Sequence, residues 1–161
     1  MLIAVVSDSH NNNKAIEDLR DYVIKADILL FLGDGEADLI KIKEFFKGDI
    51  YAVSGNCDIY SKNPEELVID IGGKRIFMSH GHRYNVKYNY NNIYYKGKEV
   101  EADIILFGHT HLPIIEEYDK VIMMNPGSLS RGAGISGRSL GYIEIVENES
   151  PIIYIKELRH K

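Results

Sequence analysis

The sequence predicts an α/β fold with mixed β-sheets flanked by helices, organised as a single layered domain over residues 1–161. Two observations support this prediction. First, the early part of the chain alternates apolar runs with amphipathic stretches, whereas the later part consists mainly of paired apolar runs. Second, 161 residues with 45% hydrophobic content suffice for one domain with a full core. Such a succession of elements is typical of a layered α/β sandwich.

Three strands and two helices are predicted in the first 58 residues. Each strand is a short apolar run that ends in polar residues, at 2–8, 27–34 and 50–58. The two helices lie between the strands, because apolar side chains recur there at helical spacing. Asn12 or Asn13 is the predicted N-cap of the first helix. The apolar faces are Ala15, Ile16, Leu19 and Val23 in the first helix and Leu39, Ile42, Phe45 and Phe46 in the second.

The rest of the chain is predicted to be mostly strands. Paired glycines and a lone aspartate between apolar runs indicate two tight hairpins. A tyrosine- and asparagine-rich stretch with weak periodicity is predicted to be a third helix. The elements are, in order, a hairpin at 66–82 that turns at Gly72-Gly73, a helix at 88–101, a buried strand at 102–111, a hairpin at 113–128 about Asp119, and closing strands at 138–147 and 151–159.

The composition argues against several classes of protein. A net charge of -5 and a pI near 5.7 disfavour stable binding to nucleic acid or an anionic membrane, which requires a basic face. No apolar run approaches the length of a membrane span, and the N-terminal stretch lacks the basic leader of a signal peptide. Cys57 is the only cysteine, so an internal disulfide is impossible and a cytoplasmic location is expected.

Histidines, carboxylates and one asparagine follow the predicted strands at the points where the strands end. In an α/β sheet, ligands bind at the carboxyl ends of the strands. We therefore expect these side chains to face a common site. They lie in the segments "SDSH", "GDG", "SGNCD", "SHGH" and "GHTH": Asp8, His10, Asp34, Asn56, Cys57, Asp58, His80, His82, His109 and His111.

The residue types predict a site for divalent metal ions. Carboxylates, imidazoles and one amide oxygen without a thiolate cluster suit manganese, iron, zinc, nickel or cobalt. These candidates are too many for one ion. Seven ligands would fit two ions that share a bridging carboxylate, the usual arrangement for displacement at phosphorus. Taken singly, Asp34 or Asn56 is explained equally well as a turn residue. The metal hypothesis rests on the segments occurring together.

The ordered set "DSH", "GD", "GNCD", "SHGH" and "GHTH" resembles the calcineurin-like metallophosphoesterase superfamily. With "GNCD" and "NPGS", the chain is similar to its short YfcE-type phosphodiesterases, over residues 8–128. The resemblance implies that Asp34 bridges two metal ions. It further implies one ion on Asp8, His10 and His111 and the other on Asn56, His80 and His109.

The same resemblance implies a metal-dependent phosphodiesterase that hydrolyses small phosphate diesters through a hydroxide activated by two metals. Asp34, Asn56 and Cys57 are the expected catalytic residues. Manganese is the expected metal, with nickel, iron, zinc, cobalt or magnesium as alternatives. Two other functions stay open: a phosphomonoesterase, and a non-catalytic scaffold like the retromer subunit that shares this fold.

Cys57 departs from the histidine that many superfamily members carry at this position, which is thought to orient the substrate or protonate the leaving group. A thiol with an ordinary pKa of about 8.5 replaces imidazolium poorly. We therefore expect better turnover of activated aryl diesters than of esters with poor leaving groups. The alternative is that Cys57 only fills space near the metals.

Several further residues are assigned on weaker grounds. Arg131 in "NPGSLSRG" is predicted to bind a substrate phosphate as a bidentate donor, and Asn125 and Ser128 to brace metal ligands. His82 is predicted to bind substrate or to support the ligands. If the chain stays extended after Gly108, the two histidines of "GHTH" share one side and reach one ion each. The tyrosines at 88–95 either line a partly buried helix face, as such tyrosines more often do, or flank the cleft and stack on a base or aryl group. A homodimer and a solvated His160 without a role are the remaining expectations.

Overall fold

A computed structural model of the chain describes residues 1–134, 136–147 and 149–159. His160, expected to be a solvated residue, lies outside these ranges. The described residues form ten strands and three α-helices, with a short 3₁₀ helix at His82–Tyr84. In chain order they are β1 Leu2–Val6, α1 Asn13–Val23, β2 Ile28–Phe31, α2 Asp38–Phe45, β3 Asp49–Ala52, β4 Glu66–Ile71, β5 Lys74–Ser79, α3 Asn91–Glu99, β6 Ile104–Leu106, β7 Ile114–Tyr118, β8 Val121–Asn125, β9 Ser139–Glu144 and β10 Ile152–Glu157.

The strands form two five-stranded mixed sheets, which confirms the predicted fold class. The first sheet has the order β10-β9-β1-β2-β3, and the second has the order β4-β5-β6-β8-β7. The three strands β1, β2 and β3 are parallel, as are β5, β6 and β8. The hairpins β4–β5 and β7–β8 are antiparallel and belong to the second sheet.

Alternation of side chains along each strand produces four layers. In β1, Ile3 and Val5 point towards the second sheet and pack with residues such as Met78 and Leu106. Ala4 and Val6 of the same strand point the other way and pack against α1 and α2. On the far side, α3 covers the second sheet through a third apolar cluster. The order of the layers is therefore helix, sheet, sheet, helix.

The two predicted hairpins turn where the sequence indicates. Gly72 and Gly73 have φ of +57° and +77°, and Asp119 and Lys120 have φ of +51° and +65°. Two successive residues with positive φ define the tight turn that matches the twist of paired strands. Asn12 is the N-cap of α1, because its side chain accepts the backbone N–H of Ala15 at 3.1 Å.

Most predicted elements are shorter in the structure. The predicted helix at 88–101 extends only over Asn91–Glu99, and the predicted strands at 50–58 and 102–111 end at Ala52 and Leu106. The segments "GNCD" and "GHTH" therefore lie wholly in loops, where the backbone can leave the extended conformation. No α-helix among the described residues is long and apolar enough to cross a membrane.

Candidate metal centre

Loops from both sheets meet at the carboxyl ends of the parallel strands. After β1, the N–H of Asp8 donates to the Gly33 carbonyl at 3.0 Å and the N–H of His10 donates to the Asp34 carbonyl at 2.9 Å. From the second sheet, the N–H of His109 donates to Asp8 Oδ2 at 3.0 Å. The first two bonds join the loops after β1 and β2 of the first sheet, and the third joins the two sheets.

Gly108 makes this close approach possible. A Cβ atom at this position would lie 2.0 Å from Ser7 Oγ and 2.7 Å from Asp8 Oδ2, so any larger residue would displace the β1 loop. The bracing predicted for the "NPGS" loop is also present. Asn125 Nδ2 donates to the Gly108 carbonyl at 2.8 Å, and Ser128 Oγ donates to the Asp8 carbonyl at 2.8 Å.

Asp8, His10 and His111 form the first cluster of potential ligands. His111 Nε2 lies 3.0 Å from Asp8 Oδ1, and His10 Nε2 lies 3.6 Å from the same oxygen. The two Nε2 atoms are 3.2 Å apart. The family resemblance implies this grouping for the first ion, and its binding of metal stays a prediction.

Asp34, His80 and His109 form the second cluster. His80 Nε2 lies 3.4 Å from Asp34 Oδ2, and the His80 and His109 ring centroids are 5.1 Å apart. The same Asp34 oxygen lies 4.0 Å from His10 Nε2 of the first cluster. Asp34 thus stands between the clusters, as the predicted bridging role requires.

Two backbone carbonyls orient the imidazoles of His80 and His111. His80 Nδ1 lies 2.8 Å from the Leu32 carbonyl oxygen, and His111 Nδ1 lies 3.0 Å from the Arg131 carbonyl oxygen. Because a carbonyl only accepts, each Nδ1 carries the proton. In a neutral imidazole this leaves the Nε2 lone pair free and directed into the cluster, which is how metal-binding histidines are usually held.

The carboxylates at the centre stay ionised at neutral pH. Burial opposes ionisation of Asp8, but the nearby imidazoles of His10 and His111 hold the pKa of its carboxyl well below its usual range. Burial likewise opposes ionisation of Asp34, yet His80 and the N–H of Cys57 lower its pKa to about 2. Burial and the positive charges of His80 and Lys87 lower the pKa of His109 to about 4, so that this imidazole is neutral.

Atoms without other hydrogen-bond partners indicate that these residues fit a divalent metal. Asp8 Oδ1 and His80 Nε2 are buried and have no hydrogen-bond partner among the described residues. His10 Nε2 and His111 Nε2 both lie within 3.6 Å of Asp8 Oδ1, so that imidazole and carboxylate atoms converge on one point, as the ligands of a cation do. Imidazole nitrogen with carboxylate oxygen is also the donor set that transition metals prefer.

Asn56 and Cys57 lie in the loop after β3, beside the second cluster. The N–H of Cys57 donates to Asp34 Oδ1 at 2.8 Å, and Asn56 Nδ2 donates to Cys57 Sγ at 3.4 Å. Burial and the neighbouring Asp34 carboxylate raise the pKa of the Cys57 thiol to about 11. Cys57 also forms a potential ligand group with His10 and Asp34. The role of Asn56 as a metal ligand stays a prediction.

An open cleft of about 340 Å³ adjoins His109 and His111. Arg131 lines it, and its binding of a substrate phosphate stays a prediction. His82 lies next to the second cluster, its ring centroid 5.5 Å from that of His80, and burial lowers its pKa. Lys87 also lines the cleft, although the sequence reasoning missed it. Lys87 lies shortly after the "SHGH" segment in the sequence, and this closeness could have indicated its position at the site.

The expected extended backbone after Gly108 is wrong. His109 and His111 have φ of +67° and +58°, in the left-handed region. The carbonyl of Arg131 and the side chain of Asn125 hold this coiled loop from the other side. The two histidines still reach different clusters, but the coiling of the loop separates them rather than strand alternation.

The chain belongs to the calcineurin-like phosphoesterase superfamily, whose domain model matches residues 1–148. It is 30% identical to the probable metallophosphoesterase YsnB of Bacillus subtilis, over 80% of this chain and 75% of that protein. It is also 30% identical to a phosphodiesterase of Methanocaldococcus jannaschii, over 79% of this chain and 83% of that protein. Members of this family are phosphoesterases that use divalent metal ions.

Solved structures share the fold. A predicted phosphoesterase from Streptococcus pneumoniae superposes with a TM-score of 0.75 at 27% identity, covering 96% of this chain and 97% of the other. A Vps29 variant from Entamoeba histolytica superposes with a TM-score of 0.82 at 23% identity, covering 96% and 91%. The second likeness concerns the fold alone.

Proposed function

We propose that the protein is a phosphodiesterase that hydrolyses small phosphate diesters with two divalent metal ions. The observation that carries this proposal is the pair of adjoining ligand clusters, with Asp34 between them, at the wall of an open cleft. The relative named as a phosphodiesterase in M. jannaschii supports the diester class.

In this proposal the metals are held by the seven residues that the sequence singles out. Manganese is the proposed metal, because carboxylate and imidazole together suit it and thiolate ligands are few. Bound divalent ions would activate water as a nucleophile and neutralise charge on the phosphate oxygens. The ligand sets are Asp8, His10 and His111 for one ion, His80, His109 and Asn56 for the other, and Asp34 for both.

The chain's own residues bind the substrate and limit its range. Lys87 and Arg131 line the same cleft and supply the positive charge that a phosphate diester requires. His82, beside the second cluster, is proposed to contact the substrate. Cys57 offers a thiol, which carries no positive charge when it is protonated. A neutral thiol cannot stabilise a departing alkoxide as imidazolium does, so esters with good leaving groups are favoured.

Two alternatives are weighed against this proposal. The same ligand sets would serve a phosphomonoesterase. The relative turnover of diester and monoester substrates distinguishes the two activities. Vps29 shares the fold, so the fold alone is compatible with a scaffold. All seven positions keep a residue type that can bind metal, and this favours an enzyme over a scaffold. A cytoplasmic location and a homodimer stay predictions.

The test is hydrolysis of bis-p-nitrophenyl phosphate and p-nitrophenyl phosphate by metal-stripped protein. Manganese, nickel, zinc and magnesium are added back separately, and Asp34→Asn is assayed beside the wild type. Metal-dependent turnover of the diester that is abolished in Asp34→Asn is the expected result. A preference for the monoester would make the protein a phosphatase. Absence of turnover with metal bound would overturn the enzymatic proposal and favour the scaffold.

A further inference from the structure

The carboxylate of Asp58 accepts four backbone hydrogen bonds, an unusually large number for one side chain. Two reach each oxygen, at distances between 2.7 and 2.9 Å. A carboxylate has about four lone-pair sites, so this group is fully used. The donors are the N–H groups of Asp34 and Gly55 to Oδ2 and of Gly35 and Glu36 to Oδ1.

The four donors belong to two loops that both carry candidate ligands. Asp34 lies in the loop after β2, and Gly55 precedes Asn56 in the loop after β3. The loops touch closely, because a Cβ atom on Gly55 would lie 2.1 Å from Asp34 Oδ1. Asp58 therefore ties together the two segments that would hold the second metal ion.

The conformation that Asp58 holds is one that the chain would not adopt unaided. Asp34 has a φ of +58° and Gly35 a φ of +141°, outside the regions that most residues prefer. The unusual dihedrals turn successive N–H groups of this loop towards one point. Without an anion there, these donors would repel one another and the loop would relax.

We infer that Asp58 is a positioning residue: by binding the backbone of both loops it fixes Asp34 between the two clusters, and this sets the metal affinity. The inference rests on the proposed function only in assuming that metal binds these residues. Asp58 touches neither substrate nor metal in this role. Asn cannot replace it, because its side chain offers one oxygen and turns two N–H donors towards other donors.

The test compares Asp58→Asn with Asp27→Asn. Asp27 is a matched control, since its carboxylate also accepts a backbone N–H, from Leu2 at 2.7 Å, but its single bond can be made by the Asn oxygen. Manganese binding to metal-stripped protein is measured by calorimetry, and circular dichroism checks that each variant is folded. Amide hydrogen exchange at Gly35 and Glu36 in the metal-free protein reports the loop itself.

Asp58→Asn is expected to weaken manganese binding by about 10-fold or more, as loss of a group behind the ligands does. It is also expected to accelerate exchange at Gly35 and Glu36, while Asp27→Asn changes neither. A folded Asp58→Asn variant with wild-type affinity and wild-type exchange would overturn the inference. If Asp58→Asn unfolds, Asp58→Glu is measured instead, because its longer side chain cannot make the same four bonds. Wild-type affinity and exchange in Asp58→Glu would equally overturn the inference. Wild-type protein that binds manganese but hydrolyses no phosphate ester overturns the proposed function alone.

Discussion

His111 Nε2 lies 3.0 Å from Asp8 Oδ1, a contact between the loop after β6 in one sheet and the loop after β1 in the other. Nδ1 of His111 is bound to the Arg131 carbonyl, so in the neutral imidazole the Nε2 atom carries the lone pair that faces the carboxylate oxygen. The pair therefore has the arrangement of two ligands of one cation, and its response to substitution tests the metal centre directly.

Replacement of His111 by Ala is expected to weaken manganese binding by about 100-fold or more, since loss of residues behind the ligands already costs about 10–100-fold. Calorimetric titration of metal-stripped protein measures the effect. His82→Ala is the comparison, because this imidazole lies beside the second cluster but outside the potential ligand groups. Equal losses in the two variants would contradict the assignment.

Lys87 and Arg131, which line the cleft, are expected to contribute to substrate binding. Lys87→Ala and Arg131→Ala should each raise KM for bis-p-nitrophenyl phosphate about 10-fold, because a hydrogen bond to a charged group contributes about 1.5–3 kcal/mol. Metal affinity should not change. Steady-state kinetics with Lys41→Ala, an exposed lysine on α2, provide the control. A fall in kcat with constant KM would argue against a binding role.

Cys57→His is expected to broaden the range of substrates. An imidazole at this position can carry a proton at neutral pH, whereas the thiol with its pKa near 11 holds its proton without offering a charge. Turnover of an alkyl phosphodiester should rise about 10-fold or more, the low side of what general acids contribute. The aryl diester, measured in parallel, should change little. An unchanged alkyl rate would remove Cys57 from the leaving-group argument.

A buried ion pair between α1 and the residue before β9 predicts how stability depends on pH. Arg138 donates to Asp18 Oδ2 at 2.6 Å, and both side chains are buried. Hydrogen bonding to Arg138 lowers the pKa of Asp18, against the effect of burial. The folded state therefore binds the proton less readily than the unfolded chain does. The stabilisation is present above the ordinary pKa of about 3.9 and is lost as the pH falls through the lower folded value.

Asp18→Asn should accordingly lower the free energy of unfolding by about 2 kcal/mol at pH 7, less than for a fully enclosed pair because Lys14 beside it reaches solvent. The difference from wild type should shrink below about pH 4. Urea unfolding at several pH values measures it. Asp70→Asn, which breaks an exposed pair with Arg75, is the control and should have a small effect. A difference independent of pH would contradict the electrostatic account.

Much of the fold could be predicted from local sequence patterns. Apolar runs and helical spacing identified the strands and helices because burial acts on each segment through its own periodicity, and Gly72-Gly73 marked a turn that needs positive φ twice. The predicted ends of β3 and β6 were wrong, because the strands end at Ala52 and Leu106, before the glycines Gly55 and Gly108. Their exit from the sheet is decided by contacts with distant loops, such as the bond from His109 to Asp8.

The candidate site was predictable as a set of residues but not as a geometry. The side chains at strand ends could be named because parallel strands bring their carboxyl ends together. Two features required three dimensions. Lys87 reaches the cleft through the 3₁₀ turn after β5, and Asp58 binds N–H groups whose directions depend on left-handed residues in another loop.

The candidate ligands are divided between the two sheets: Asp8, His10 and Asp34 follow strands of one, and His80, His109 and His111 follow strands of the other. Metal ions bound there would link the two sheets. Ligand concentrations of about 100 times Kd stabilise a folded protein by about 2.7 kcal/mol. Metal scarcity would then shorten the lifetime of the protein as well as stop its chemistry, and the cell's metal supply would govern both how much of it persists and how fast it works.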